Sequence, residues 1–150
     1  MSTLLVVHHT PSPATRELLE AVLAGAHDPE ITGVDVHTLP ALGANIPDVL
    51  AADGYLLGTP ANFGYMSGAL KHFFDTVYYP CLDAVTGRSF GLWTHGNNDT
   101  VGAVRAVLKL TGGLGWKQVV APLELTGSPD AAAHEACYEL GATVAASLME

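Results

Sequence analysis

The chain has 150 residues, of which 49% are hydrophobic and only 14% are charged. A chain of this length can bury a substantial core, and this composition argues against disorder. The formal net charge of −9 and the six Lys and Arg residues argue against binding to nucleic acid or to an anionic membrane surface. We therefore expect a single domain over residues 1–150 that binds neither nucleic acid nor a membrane.

Two features of the sequence concern its compartment. The two cysteines, Cys81 and Cys137, are far apart and match no CxxC or zinc spacing, which indicates buried free thiols and no metal site. The first apolar run, TLLVV, is too short for a signal peptide or a membrane span, and no basic segment precedes it. We expect a cytoplasmic protein that does not insert into a membrane.

Short apolar runs alternate with helical patterns along the whole chain. The runs predict strands at residues 3–7, 33–39, 53–59, 89–95 and 117–125. The helical patterns cover 13–26, 67–79 (ended by Pro80), 99–110 (ended by Gly112-Gly113) and a last helix that opens at Ser128-Pro129-Asp130, and a short polar helix or turn is expected at 47–52. This alternation predicts an α/β fold whose parallel sheet has helices on both faces. Such sheets bind ligands beyond the carboxyl ends of their strands, so the loops after the first, third and fourth strands are the candidates.

The loop after the first strand reads HHTPSPATRE and carries hydroxyls on Thr10, Ser12 and Thr15. Ser12 can cap the following helix, and Pro13 suits its first turn. Together with free N–H groups of that turn, including Ala14, the hydroxyls form an anion site best suited to a phosphate. The loop alone supports equally well a plain cap without a ligand. It matches neither GxGxxG nor GxxxxGK[ST].

His8 and His9 are adjacent at the end of the first strand, so their side chains point to opposite faces of the sheet. Two such side chains cannot easily bind one metal ion. We expect one inward and one outward histidine, with the backbone of His9 beside the phosphate.

The loop after the third strand reads TPANFGYMSG and combines backbone amides, an amide side chain and an aromatic ring. Such a surface suits a planar heteroaromatic ring, with amides for its polar rim and an aromatic group for its face. The candidate residues are Thr59, Pro60, Ala61, Asn62, Phe63 and Gly64. The alternative is a plain strand–helix connection in which Phe63 lies in the core. Ser67 caps the next helix in either case.

The loop after the fourth strand, THGNNDT, offers donors and acceptors at His95, Gly96 and Asn97. His95 is the one titratable residue here with an evident path to chemistry, and is a weak catalytic candidate. Asn98 or Asp99 is expected to cap the next helix. A phosphate site beside a flat-ring site indicates a mononucleotide with a tricyclic head, FMN.

The segment GTPANFGYMSGALKHFFD resembles the GTP-x-x-FG-x-M-S motif of the flavodoxin-like NAD(P)H-dependent FMN oxidoreductases. Quinone reductases of the tryptophan-repressor-binding-protein type belong to this family. TPSPAT is similar to the flavodoxin phosphate loop T-x-T-G-x-T, with Pro13 where glycine is usual. The resemblance implies a flavodoxin-like three-layer sandwich with a five-stranded parallel sheet of order 2-1-3-4-5. It also implies the FMN phosphate on Thr10–Thr15 and the isoalloxazine against Pro60–Gly64 and His95–Asn97.

The loop segments TPSPAT, PANFGY and HGNN contain no Asp or Glu, although the chain is acidic. Acidic groups around the ring would suit a low-potential electron carrier, so their absence favours an enzyme. We predict that NAD(P)H reduces the bound FMN, which then reduces a quinone or a similar small-molecule acceptor. The alternatives are a flavodoxin-type electron carrier, or a module that has lost FMN, which Pro13 and the lack of a basic residue in the phosphate loop favour. Apolar helices are compatible with a homodimer.

Overall fold

The computed structural model describes residues 1–150. Its elements in chain order are β1 (Ser2–His8), α1 (Pro13–Ala26), β2 (Val34–Pro40), a 3-10 turn (Ala41–Gly43), α2 (Ile46–Ala51), β3 (Gly54–Asn62), β4 (Tyr65–Met66), α3 (Gly68–Cys81), β5 (Ser89–Gly96), α4 (Val101–Leu114), β6 (Lys117–Gln118), β7 (Leu123–Thr126) and α5 (Ala131–Ala146). The predicted alternation of strands and helices is confirmed. No helix is both long enough and apolar enough to cross a membrane.

The sheet has the spatial order β2-β1-β3-β5, with β6 and β7 both beside β5 and all of these pairs parallel. The predicted order 2-1-3-4-5 is thus confirmed, with the fifth position shared by two short strands. The register aligns His8, Gly58, Trp93 and Leu123 across the sheet. The loops that follow β1, β3, β5 and β7 therefore meet at one edge.

Alternate strand residues enter two separate cores, as expected for a parallel sheet that is covered on both faces. Leu4, Val6, Leu56 and Trp93 pack with buried residues of α1 and α5. Residues of the opposite parity pack with α2, α3 and α4; they are Leu5, Val7, Tyr55, Leu57, Phe90 and Leu92. This alternation also decides which residues at the end of each strand face α1 and α5, and which face α2, α3 and α4.

The two cysteines lie in different cores and form no disulfide. Burial raises the pKa of the Cys137 thiol to about 11, and burial also raises the pKa of Cys81. Both groups are therefore unreactive thiols at neutral pH, as the sequence predicted.

The predicted ends of α3 and α4 are wrong. Pro80 lies inside the last turn of α3, which continues to the buried Cys81. Gly112 and Gly113 lie inside α4, which ends at Gly115 with φ 75°. A Cβ on Gly113 would stand 2.1 Å from the Tyr78 hydroxyl, so this glycine permits the close approach of α3 and does not terminate the helix.

The fifth predicted strand, 117–125, is interrupted between β6 and β7. Pro122 lies in the interruption and cannot donate a ladder hydrogen bond. The chain stays attached to β5 on both sides, because Val119 N–H donates to the Phe90 carbonyl at 3.3 Å and the Thr94 hydroxyl donates to the Leu123 carbonyl at 2.9 Å. The predicted edge position is correct.

Helices α1 and α5 touch backbone to backbone at two glycines. A Cβ on Gly25 would lie 1.9 Å from the Tyr138 carbonyl oxygen, and one on Gly141 would lie 2.0 Å from that of Val22. Neither carbonyl can move without displacing its helix, so a side chain at either position separates the pair.

We expect Gly141→Ala to lower the free energy of unfolding by about 1–3 kcal/mol, the range found for overpacked cores. Gly112→Ala is the matched control, because Gly112 is helical and nothing lies within 4 Å of its added Cβ. That control should raise stability by roughly 0.5–1 kcal/mol through helix propensity. Urea unfolding of both variants measures the difference, and equal effects of the two substitutions would contradict the packing account.

Candidate functional site

The hydroxyls of the loop after β1 satisfy one another. Ser12 Oγ accepts from the Thr15 N–H at 3.1 Å, and Thr15 Oγ1 accepts from the Ser12 N–H at 3.0 Å. The Thr15 hydroxyl also donates to the Ser12 carbonyl at 3.0 Å, while Thr10 Oγ1 lies 3.0 Å from His8 Nδ1. The predicted Ser12 cap is confirmed as a full capping box. This box engages two of the three hydroxyls that the sequence assigned to a phosphate.

Three other polar groups in this loop have no protein partner. The N–H groups of Thr10 and Ala14 donate to no backbone or side-chain acceptor, and His9 Nδ1 is buried without a hydrogen bond. Pro11 and Pro13 have no N–H to offer. The His9 N–H already donates to the Gly58 carbonyl at 3.0 Å, so it is not free to donate to a phosphate.

The predicted loop after the third strand is in fact a β-hairpin. Asn62 pairs with Tyr65 across the antiparallel strands β3 and β4, and Phe63 (φ 51°) and Gly64 (φ 72°) form the two-residue turn. Positive φ at both central residues defines a type I′ turn, whose first position strongly favours Asn, Asp or Gly. Phe63 occupies it with its ring fully exposed. The alternative that placed Phe63 in the core is therefore wrong.

Thr59 and Pro60 belong to β3 and are buried, so they are not a turn that leaves the strand. Thr59 Oγ1 donates to the Pro60 carbonyl at 2.8 Å and accepts from the Ser67 N–H at 3.0 Å. Ser67 in turn caps α3 by accepting from the Leu70 N–H at 3.2 Å. Thr59 thus holds the start of α3, and the exposed part of the candidate surface begins at Ala61.

The hairpin tip rests on the first turn of α4. A Cβ on Gly102 would lie 1.9 Å from the Gly64 carbonyl oxygen, and one on Gly96 would lie 3.3 Å from the Ala61 Cβ. Pro60 and His95 are neighbours in register. The structure therefore brings the second and third predicted loops together, with exposed Asn97 beside them.

Asn98 does not cap α4. The N-cap residue is Thr100, and Asp99 supports it by accepting from the Val101 N–H at 3.0 Å.

His95 reaches away from the hairpin, towards the loop after β7. Its Nε2 donates to the Gly127 carbonyl at 2.6 Å. This contact forms one wall of a cavity of about 240 Å³ that also includes Leu18, Leu125 and Pro129. His95 thereby positions the last loop, and only its Nδ1 is left for any proton transfer.

Sequence reasoning missed this last loop and the acidic groups that accompany it. Glu124 and Asp130 both line the cavity that His95 borders. The Thr100 hydroxyl donates to Glu124 Oε1 at 3.0 Å, and Asp130 Oδ1 caps α5 by accepting from the Ala133 N–H at 2.8 Å. The carboxyl end of the fifth strand was the available signal, since all parallel strands of one sheet end at the same edge.

Lys71 and Asp75 on α3 form an i, i+4 ion pair, with Nζ 2.5 Å from Oδ1. The hydrogen bond to Asp75 raises the pKa of Lys71. The pair lies on an exposed helix face and has a structural role. No group of three or more His, Cys, Asp or Glu side chains is placed to bind a metal ion.

Comparison with known proteins places this geometry in a family. The family model described as NADPH-dependent FMN reductase matches residues 11–125. The chain belongs to this family. A flavodoxin from Aquifex aeolicus (strain VF5) is 34% identical over 103 residues, which are 65% of this chain and 55% of the relative. The chain thus spans about half the length of that relative.

Solved structures agree on the family's flavodoxin-like fold. A Streptococcus pneumoniae TIGR4 flavodoxin has a TM-score of 0.83 and 17% identity, over 98% of this chain and all of the other. A flavodoxin described as a WrbA-like protein, from Agrobacterium tumefaciens, has a TM-score of 0.78 and 23% identity over the whole of both chains. At these identities the likeness concerns the fold alone.

The residues present fit the FMN that the family description names. The exposed ring of Phe63 suits the flat head, and the free N–H groups of Thr10 and Ala14 suit the phosphate. The unpartnered His9 Nδ1 lies at the base of the same loop. The fit at the phosphate end rests on few donors, because two prolines and the capping box remove the others.

We expect protonation of His8 to destabilise the fold in acid. Burial, and to a smaller extent the charge of neighbouring His9, lowers the pKa of His8 below its ordinary value of 6.5. The unfolded chain therefore binds a proton more readily, and stability falls as the pH drops from 6.5 towards the folded pKa. The slope due to His8 cannot exceed about 1.4 kcal/mol per pH unit, because a single group takes up at most one proton.

His8→Asn should reduce this slope in urea unfolding between neutral pH and pH 5. His72→Asn is the control, because His72 is exposed on α3. An unchanged slope in His8→Asn would show that other groups cause the acid sensitivity.

Phe63→Asn should stabilise the fold and weaken binding of FMN. Asn is favoured where Phe is strained, so we expect a gain of about 1 kcal/mol in the free energy of unfolding. Loss of the aromatic face should weaken FMN binding by roughly three- to tenfold, the equivalent of one aromatic pair. Tyr79→Asn is the control, since Tyr79 is exposed on α3 outside this surface. A Phe63→Asn protein that binds FMN as tightly as the parent would remove Phe63 from the site.

Proposed function

We propose that the chain binds FMN at this edge of the sheet, is reduced there by NAD(P)H, and passes the electrons to a quinone or a similar small-molecule acceptor. One observation carries the proposal: a strained, fully exposed Phe63 is held at the hairpin tip, at the same edge of the sheet as a loop that has unpaired N–H donors. A side chain kept exposed in an unfavourable backbone conformation indicates a functional requirement. Membership in the NADPH-dependent FMN reductase family supports the same conclusion.

Each residue has a defined task in this proposal. The N–H groups of Thr10 and Ala14 bind the phosphate, with the Ser12–Thr15 capping box shaping the loop. Phe63 covers one face of the ring, and the side chains of Asn62 and Asn97 and the backbone around Gly64 and Gly96 meet its polar rim.

FMN supplies the redox chemistry when it is bound, whereas the protein binds, orients and shields it. His95 holds the loop after β7 through the Gly127 carbonyl and need not act as an acid or a base. The remaining assignments, to Ala61 and to the backbone of His9, rest on their positions at the same edge.

An electron carrier is the second candidate, and Glu124 favours it. This carboxylate lines the cavity at His95, so the absence of Asp and Glu from TPSPAT, PANFGY and HGNN does not extend to the whole edge. A negative group near the ring opposes negative charge on the reduced flavin and lowers its potential. The similarity to the Aquifex flavodoxin points the same way.

The proposal treats residues 1–150 as one flavodoxin-like domain in the cytoplasm. Its partners are small redox molecules, with no role for nucleic acid or membrane. We also propose a homodimer, which would form through exposed apolar side chains on the helices, such as Tyr79 on α3.

Purified protein should show flavin absorbance, or quench FMN fluorescence on titration. NADPH or NADH added without oxygen should bleach the bound flavin directly, and a quinone should restore its colour. A flavin that neither nucleotide reduces, but that dithionite does, would identify an electron carrier. A colourless protein that ignores added FMN would identify a module that has lost the cofactor, which the scarcity of phosphate donors makes a real outcome of the test.

A further inference from the structure

Arg105 and Lys109 are an unusual pair on α4. They stand four residues apart, so they share one helix face and repel each other. Both are exposed, and neither takes part in a hydrogen bond or an ion pair. α4 contains no acidic residue, although the chain has 15 Asp and Glu and only six Lys and Arg. The helix therefore concentrates positive charge on a face where no ion pair forms.

The other basic residues are either engaged or solitary. Lys71 pairs with Asp75 on α3, and Arg88 Nη1 donates to three carbonyls at the end of α2. Arg16 and Lys117 are exposed as single charges on α1 and β6. Arg105 and Lys109 are thus the one place where two free cations point from the same helix face.

A groove runs along this cationic face of α4. It has a volume of about 640 Å³ and is lined by the apolar side chains of Val101, Val104 and Leu108, together with the two cations and Glu124. Its upper end adjoins the hairpin, because Gly102 touches Gly64. Lys109 lies seven residues beyond Gly102, which is about 10 Å further along the helix at roughly 1.5 Å per residue.

The charges along the groove are ordered. The Glu124 carboxylate is held near the hairpin end by the Thr100 hydroxyl at 3.0 Å, and Asp99 is bound to the first N–H of α4. Arg105 and Lys109 lie one and two turns further on. A ligand with an uncharged ring at the hairpin and an anionic group further along the groove matches this order.

We propose that this groove binds the adenosine half of NADPH, with Arg105 and Lys109 holding its 2′-phosphate. The inference rests on the proposed function, because it requires the nicotinamide to meet FMN at the hairpin. A guanidinium and an ammonium are the groups that bind a phosphate monoester best, and the apolar floor suits the adenine face. NADH lacks the 2′-phosphate, so the pair makes the protein prefer NADPH.

The decisive variant is Arg105→Ala/Lys109→Ala, with Lys117→Ala as the matched loss of an exposed cation elsewhere. In the FMN-loaded protein, the double variant should raise the KM for NADPH roughly tenfold or more and change the KM for NADH much less. Lys117→Ala should behave as the parent for both nucleotides. Thermal unfolding should show the double variant at least as stable as the parent, since a repulsion has been removed.

A second readout is independent of turnover. Calorimetric titration with adenosine 2′,5′-bisphosphate should show binding to the parent and to Lys117→Ala, weakening with salt, and little binding to the double variant. ADP, which has no 2′-phosphate, should bind more weakly to the parent and distinguish the variants less.

The failures are distinguishable. If neither NADPH nor NADH reduces the flavin of the parent, the proposed function is wrong and this inference falls with it. If NADPH reduces the parent and the double variant equally well, only the inference is overturned. A double variant that loses NADPH and NADH affinity to the same extent, or that impairs only transfer to an acidic protein acceptor, also overturns it.

Discussion

The candidate site depends on the backbone contact between Gly64 and Gly102. A two-residue hairpin of type I′ with Phe at its first position is unfavourable in isolation, because a bulky residue resists a positive φ. Such strain persists only where the surroundings enforce it. The first turn of α4 does so here, since its glycine lets the Gly64 carbonyl approach to a distance that any side chain would block. One contact between two glycines thus presents Phe63 and fixes the hairpin against the end of β5.

The sequence predicted those parts of the fold in which local chemistry and long-range packing agree. The caps at Ser12 and Ser67 are found where a hydroxyl residue precedes an apolar helical pattern, and α5 begins directly after the predicted opening at Ser128-Pro129-Asp130. The bounds of α1 follow for the same reason. The sheet order came from the resemblance, and the strand–helix alternation is consistent with it because parallel strands need helical crossovers.

Other parts depend on contacts that no local pattern records. The residues NFGY do not resemble a hairpin, because the usual Asn-Gly or Asp-Gly pair is missing, and only α4 makes the turn viable. The sequence alone indicates that Gly113 terminates the helix, whereas the structure shows that this glycine makes room for the Tyr78 hydroxyl. Glu124 accepts a hydrogen bond from Thr100, which lies 24 residues earlier in the chain. The strand that carries Glu124 is preceded by the interruption at Pro122. The sequence therefore predicted the three candidate loops one at a time, but it did not predict that Glu124 lies beside them.

Helix N-termini, more than charged side chains, set the electrostatics of this edge. α1 and α4 both begin here, and each contributes a partial positive charge through N–H groups of its first turn. Glu124 lies against the start of α4, so the field of that helix stabilises the carboxylate and offsets part of its repulsion of any nearby anion. An edge of this kind can accept negative charge on a bound ring although the chain as a whole carries −9. The overall charge then acts mainly at longer range, where it repels anionic ligands except along the face of α4 that carries Arg105 and Lys109.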